Sequence, residues 1–343
     1  MNLWDEIARI KEELGGKACI LGHHYMAQDV IDHCHLTGDS LELARRIEEI
    51  HAPHIVFCGV CFMAEAAALL ARPGQKVYLA AGEADCVMAR MAPASLLERV
   101  LMRLCEKGRR VMPLAYANTS LAVKAVVGRF GGATCTSANA DAMLRWALDQ
   151  GGQVLFLPDQ HLGRNTAKSL GLAEADWHTL DIRAQGANMD LAAVHKAKLL
   201  LWPGSCAIHA RFRPERIEAA RRAHPACRIA VHPECRPETV DAADAAGSTS
   251  FLIQYVADSQ AGSTLLIGTE LSLVERMARE QAGRCTVLPL ARSLCSNMAL
   301  TTRQRLLDCL RGIQAGTARP LKVPPEDAAP ARESLQRMLQ ACS

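Results

Sequence analysis

The sequence predicts an α/β protein built on short parallel sheets, and three observations carry that prediction. Short apolar runs alternate with longer stretches of helical periodicity along all 343 residues, the pattern of βαβ units. Half of the residues are hydrophobic but only 4% are aromatic, which favours helices and parallel sheet over an aromatic-rich β-sandwich. Three kinds of segment also recur once per third of the chain. With 22% charged residues the composition excludes wholesale disorder, and the length suits two or three compact domains.

In chain order, residues 1–14 read as a charged amphipathic helix with Trp4, Ile7, Ile10 and Leu14 on one side. The apolar run 18–21 is the first strand, followed by helical periodicity over 40–50. Strand 55–58 leads into an Ala-rich helix at 62–71, and 77–80 is the next strand. Helix 93–107 precedes strand 111–115, helix 120–127 and helix 140–149. Strands 154–157 and 198–202 follow, then helix 214–223 and strand 228–231. Strand 265–267, helix 270–281 and strand 286–288 complete the series, with helices expected after Leu300. In parallel sheets of this kind the loops at the strand C-termini are the usual site.

Lys+Arg 39 against Asp+Glu 36 gives a net charge of +3, too near balance to imply a nucleic-acid or membrane partner. The basic stretch from Arg211 to Arg222, interleaved with Pro214, Glu215 and Glu218, reads as one solvated helix face. Fourteen cysteines are too few for a disulfide scaffold in a chain this long. No secretory signal is visible, no apolar run approaches the roughly 20 residues that span a bilayer, and Cys342 forms no prenylation box. The expected location is the cytosol, with thiols reduced and buried, catalytic or metal-bound.

The recurring segments fall into three sets. ILGHHY, VMPLAYANT and RIAVHPEC end strands in polar turns. CGVCFMAEAA, CTSANADAM and GSTSFLIQYV pass through small residues into a helix, and VYLAAGEADC, LLLWPGSC and TVLPLARSLC run from a strand to a cysteine. Duplication of one α/β unit would place equivalent loops around a common centre; chance similarity among short turns is the competing explanation.

Cys58-Gly59-Val60-Cys61 is the only CxxC. It fits a redox pair or half a zinc site, but neither a second CxxC nor an HxxxH completes it, so a packed strand-to-helix turn is the better reading. His232-Pro233-Glu234-Cys235 offers a general acid/base pair, or an ordinary exposed loop; the PCxxC that zinc deaminases require is missing. Gly247-Ser248-Thr249-Ser250 and Gly38-Asp39-Ser40 offer hydroxyls and backbone N–H groups to an anion, or simply cap helices. No GxGxxG or GxxxxGK[ST] is present. Cys86, Cys206 and Cys295 each follow a strand; three thiolates converging from three units could hold an iron–sulfur cluster with one iron open as a Lewis acid.

The ordered series GHHYMAQDVIDHCHLTGDSLELAR, CGVCFMAEAA, YANTSLAVKA, CTSANA, FLPDQHLGR, WPGSCAIHARF, VHPECRPETVDAADAAGSTS and CSNMALTT resembles the quinolinate synthase family. The resemblance runs from about Ala18 to Leu310. It implies three homologous αβα domains in a pseudo-threefold triangle around a central iron–sulfur site. The expected division is 1–92, 93–207 and 208–299, with helices in 300–343 packing back on the first domain. A [4Fe–4S] cluster held by Cys86, Cys206 and Cys295 is implied, its fourth iron free. Cys58 is not a ligand on this alignment.

The implied reaction condenses iminoaspartate with dihydroxyacetone phosphate to quinolinate, the pyridine precursor of NAD, with loss of phosphate and water. The matching pocket residues are His23, Tyr25, Ser40, Tyr116, Asn118, Ser137, His232, Glu234, Ser248 and Thr249, with Phe62 and Met63 as apolar wall. Tyr25, Tyr116, His232 and Glu234 are the implied catalytic groups. His23, Ser40 and His232 are the candidates for the phosphate. Asn118, Ser137, Ser248 and Thr249 are those for the carboxylates. No nicotinamide or flavin is expected, and L-aspartate oxidase is the implied supplier of iminoaspartate.

Three departures stand out. Pro289 and Arg292 replace earlier cysteines of the CxxCxxC that some members carry; His24 and Cys61 occupy unusual positions; and 169–197 reads as a surface insertion. A non-enzymatic iron–sulfur sensor on the same scaffold and a mononuclear zinc hydrolase are the competing classes. The first would have lost the polar pocket; the second rests only on HPE and CGVC.

Overall fold

The computed structural model describes residues 2–342, so Met1 and Ser343, the outermost residues of the expected first and last segments, lie outside the described residues. The chain forms three parallel sheets of four, five and four strands. The first unit runs α1 (Leu3–Leu14), β1 (Ala18–His23), α2 (Gln28–Ile31), β2 (Leu36–Gly38), α3 (Ser40–Arg46), β3 (His54–Cys58), α4 (Cys61–Leu70) and β4 (Lys76–Leu79). The second runs α5 (Ala94–Leu104), β5 (Val111–Tyr116), α6 (Leu121–Arg129), β6 (Ala133–Cys135), α7 (Ala140–Asp149), β7 (Gln153–Leu157), α8 (Gln160–Ser169), β8 (Trp177–Thr179), α9 (Leu191–Lys196) and β9 (Leu199–Leu201). The third runs α10 (Pro214–Ala223), β10 (Arg228–Val231), α11 (Pro237–Ala242), β11 (Ala245–Ala246), α12 (Thr249–Ala257), β12 (Thr264–Gly268), α13 (Leu271–Glu280) and β13 (Thr286–Pro289). Two helices follow, α14 (Arg303–Gln314) and α15 (Pro325–Ala341).

The strand orders β2-β1-β3-β4, β6-β5-β7-β9-β8 and β11-β10-β12-β13 follow one connectivity over their first four strands, the middle sheet adding β8 at its edge. The α/β class and the three-unit repeat expected from sequence are therefore the observed architecture. Central strands such as β7 are buried along most of their length, as strands covered on both faces must be. Two of the three recurring sets fall on equivalent elements: the polar turns end β1, β5 and β10, and the cysteines follow β4, β9 and β13.

The second set needs a correction. CTSANA follows β6 and GSTS follows β11, whose counterpart in the first unit is β2; the equivalent segment is therefore Gly38-Asp39-Ser40, not CGVC, which follows β3. The strand β2 is only three residues long and β11 only two, too short to stand out as apolar runs. That also explains why β2, β6, β8 and β11 are missing from the sequence prediction. The stretch 169–197 is more than a loop: β8 pairs in parallel with β9 and gives the middle sheet its fifth strand.

At the C-terminus, α14 packs on α1, whereas α15 lies across α6 and β6 and also touches α4, so this segment reaches the second unit as well as the first. The α6–α15 crossing is close because Gly128 has no side chain: a Cβ there would stand 1.8 Å from the Pro330 carbonyl oxygen. Among the described residues no helix is long and apolar enough to cross a membrane.

Candidate active site

Parallel strands present their C-terminal ends together, and here three units turn those ends toward one cavity of about 220 Å³. His23, Tyr116 and His232 occupy one equivalent position, at the ends of β1, β5 and β10. Tyr25, Asn118 and Glu234 stand two residues further on. Ser40, Ser137 and Thr249 follow β2, β6 and β11, and Cys86, Cys206 and Cys295 follow β4, β9 and β13. All of these residues line the cavity, as do Phe62 and Met63. Ser248 does not: it caps α12, its hydroxyl accepting from the Phe251 N–H at 3.2 Å.

The polar groups are buried, which rules out the exposed-loop reading of HPEC: His23 is 4% exposed, and His232 and Glu234 are 2%. Burial, with neighbouring positive or histidine groups, lowers His23 and His232 to about 3, so both rings are neutral at pH 7. The Nδ1 of His23 accepts from the Tyr25 N–H at 3.1 Å, and that of His232 from the Glu234 N–H at 3.3 Å. Each ring therefore carries its proton on Nε2. Burial also raises Tyr25 and Tyr116 well above the ordinary tyrosine value, so both are neutral donors.

Residues that the sequence reading missed complete the network. His209 is 1% exposed, its ring stacked on His232 at 4.3 Å between centroids, and its Nδ1 lies 2.5 Å from Glu234 Oε2. Burial pushes the Glu234 carboxyl up, but His209, His232 and Tyr116 outweigh it and hold it at about 2. The Nε2 of His209 is 3.2 Å from Thr269 Oγ1, itself 2.9 Å from the Tyr25 hydroxyl. Thr249 Oγ1 donates to that hydroxyl at 3.2 Å. One set of proton positions satisfies the hydrogen bonds of this chain: Thr249 donates to Tyr25, Tyr25 to Thr269 and Thr269 to His209 Nε2, which leaves the His209 Nδ1–H in close ion-pair contact with Glu234.

The cysteines share a local design. Their backbone N–H groups donate to carboxylates: Cys86 to Asp85 at 2.8 Å, Cys206 to Asp159 at 2.9 Å and Cys295 to Glu270 at 3.3 Å. Burial pushes the Cys86 thiol up to about 12 and raises Cys206 and Cys295, while backbone N–H groups of Ala89, His209 and Met298 pull each the other way. Such donors suit sulfurs that carry negative charge when bound to metal. Cys206, His209 and Glu234 form a second donor set, with ligand atoms within 4.8 Å of one another. Cys58, by contrast, is fully buried among apolar residues, as a packed turn requires.

Three strand-end cysteines facing one polar pocket agree with the sequence matches. Residues 5–340 match the family described as quinolinate synthetase A protein. The chain belongs to that family. A protein of Herpetosiphon aurantiacus named quinolinate synthase is 41% identical over 99% of this chain and 92% of its own length. Proteins of the same name from Corynebacterium glutamicum (41%, covering 98% and 87%) and Geobacillus kaustophilus (40%, covering 96% and 91%) are similar throughout. Membership of the quinolinate synthetase A family implies a metal cofactor and small-molecule substrates, and the cavity offers donors for both.

Proposed function

We propose that the protein is a quinolinate synthase, condensing iminoaspartate with dihydroxyacetone phosphate to quinolinate in NAD biosynthesis, in the cytoplasm. The observation that carries the reading is one cavity lined by Cys86, Cys206 and Cys295 together with the buried Glu234–His209 pair. The units are taken as 1–92, 93–207 and 208–299 with the helical segment 300–343. A [4Fe–4S] cluster held by the three cysteines would supply an open iron as a Lewis acid to a substrate hydroxyl.

The chain's own groups do the rest. His23 and His232, neutral with Nε2–H free to donate, hold phosphate oxygens by hydrogen bonds rather than by charge, with the Ser40 hydroxyl beside them. Asn118, Ser137 and Thr249 orient carboxylates, while Ser248 acts indirectly by fixing the start of α12. Glu234, ionised at neutral pH, takes up protons from carbon during isomerisation and ring closure. His209 holds the Glu234 carboxylate through the Nδ1 contact, and Tyr116, a neutral phenol, donates to it. Tyr25 covers the pocket and ties it to Thr249 and Thr269. Iminoaspartate is unstable in water, so an oxidase acting on L-aspartate is the expected supplier.

Glu234→Gln tests the reading because it removes the basic carboxylate while keeping the shape. The variant should retain iron and sulfide and bind quinolinate, with turnover lower by about 10²-fold or more. Normal turnover would refute the assignment of Glu234. Iron and sulfide near four per chain in anaerobically purified protein, against zinc near one, separates this reading from a zinc hydrolase.

A further inference from the structure

We infer that Asn165, Arg276 and Lys124 are positioning residues that hold the three site-bearing turns, each gripping the two carbonyls that flank one site residue. The inference rests on the assignment of Tyr25, Asn118 and Glu234 to the site. Asn165 Nδ2 donates to the Pro233 and Cys235 carbonyls at 2.7 and 2.8 Å, bracketing Glu234. The Arg276 guanidinium donates to the His24 and Met26 carbonyls at 2.6 and 3.4 Å, bracketing Tyr25. Lys124 Nζ donates to the Ala117 carbonyl at 2.8 Å and to that of Thr119, bracketing Asn118.

The first two grips are one device used twice. Asp159 caps α8 and Glu270 caps α13, and Asn165 and Arg276 each lie six residues beyond the cap. These helices are equivalent, and each reaches across to the turn of the next unit: second to third, and third to first. The symmetric reach from first to second would fall on Ala66 of α4, which has no donor. There the neighbouring Glu65 accepts from the Leu121 N–H at 2.9 Å, and Lys124 of α6 supplies the missing donor from within the second unit.

All three gripping residues are buried: Asn165 is 8% exposed, Arg276 6% and Lys124 0%. Burying a cation whose hydrogen bonds go to backbone carbonyls is costly unless the fold is closed around that geometry. Among the described residues neither Arg276 nor Lys124 lies within ion-pair distance of a carboxylate. In each case the geometry fixes the main chain on both sides of a side chain that faces the cavity. A displacement of about 1 Å at such a group costs on the order of 10²-fold in rate.

The test uses the cluster-loaded enzyme and two variants, Asn165→Leu and Arg276→Met, with Arg276→Lys to restore one donor should Arg276→Met fold poorly. Iron content, KM, kcat and hydrogen exchange of peptides covering 22–26 and 231–236 are measured. Asn165→Leu should speed exchange at 231–236 by about tenfold and leave 22–26 protected; Arg276→Met should do the reverse. In both, iron should stay bound and kcat should fall by about 10-fold to 10²-fold, with KM moving much less. Arg276→Lys should recover part of that loss. Unchanged turnover, or loosening confined to the unit that carries the substitution, would overturn the inference. Glu234→Gln run beside them tells the two failures apart. If it is slow while Asn165→Leu is normal, only the grip is wrong; if both are normal, the site assignment is wrong and the grip falls with it.

Discussion

Thr269 is the narrowest link in the hydrogen-bond chain, so Thr269→Val is the sharpest single perturbation of it. The residue is fully buried, and valine reproduces its shape while deleting one hydroxyl. Two partners lose it at once: the Tyr25 hydroxyl at 2.9 Å and His209 Nε2 at 3.2 Å. Each buried polar group left unsatisfied costs about 1–3 kcal/mol. Tyr25 keeps its bond from Thr249, so most of the loss falls on His209, whose Nε2 has no second hydrogen bond among the described residues. If about 1.4–2.8 kcal/mol of that loss is felt in the transition state, kcat falls about 10-fold to 10²-fold. Stability should drop by a similar amount. The assay is quinolinate formation under anaerobic conditions with iron content measured on the same sample, alongside a Thr269→Ser control that keeps the hydroxyl. Normal kcat in Thr269→Val, with Thr269→Ser also normal, would refute the idea that His209 and Tyr25 communicate through this residue.

Three other outcomes are expected. Substituting each of the fourteen cysteines by Ser should abolish the brown chromophore only at Cys86, Cys206 and Cys295, read by absorbance and iron content; loss at Cys58 in a folded protein would contradict the ligand set. Burial lowers Lys124 from its ordinary 10.5 to about 8, so between those values the unfolded chain holds the extra proton and this residue makes stability rise with pH. Wild type should therefore gain on Lys124→Met across that window by up to about 3 kcal/mol, measured as the difference between two denaturation series. A flat difference would refute the shift. Gly128→Ala should force α15 away from α6, because its Cβ would meet the Pro330 carbonyl oxygen. A loss of about 1–3 kcal/mol and faster proteolysis near residue 330 are the readouts.

The elements legible in the sequence are those whose signal is local. Apolar central strands and the cysteines directly after β4, β9 and β13 are read from consecutive residues. The edge strands β2, β6, β8 and β11 are not, because two or three residues such as Ala245–Ala246 carry no period. In α8 the string QHLGRNTAKS hides its buried face behind polar residues, since Asn165 and Thr166 are among those it buries. His209 lay within reach: three residues beyond Cys206, it shares a turn with a cysteine already singled out. Thr269, Glu270 and Arg276 fall in a segment that reads only as strand 265–267 and helix 270–281. What brings Thr269 and Arg276 to the site is contact with the first unit, at Tyr25 and at the His24 and Met26 carbonyls, which no local pattern reports.

Threefold repetition alone would build a symmetric pocket, yet the substrates proposed here have no such symmetry. The positions divide accordingly. Where the three units carry the same residue, as at Cys86, Cys206 and Cys295, they present a group with three like demands. Where they carry hydroxyls, at Ser40, Ser137 and Thr249, they offer donors that any oxygen can use. At the turns the residues differ in kind: Tyr25, Asn118 and Glu234 are a phenol, an amide and a carboxylate held at equivalent points of equivalent backbones. Only one of these can be ionised at neutral pH, and His209 stands beside that one alone, where Ala89 and Met298 occupy the corresponding places after the other two cysteines. The scaffold thus sets positions by symmetry and chemistry by departure from it. Exchanging residues between units should therefore be tolerated among the hydroxyls and not at the turns.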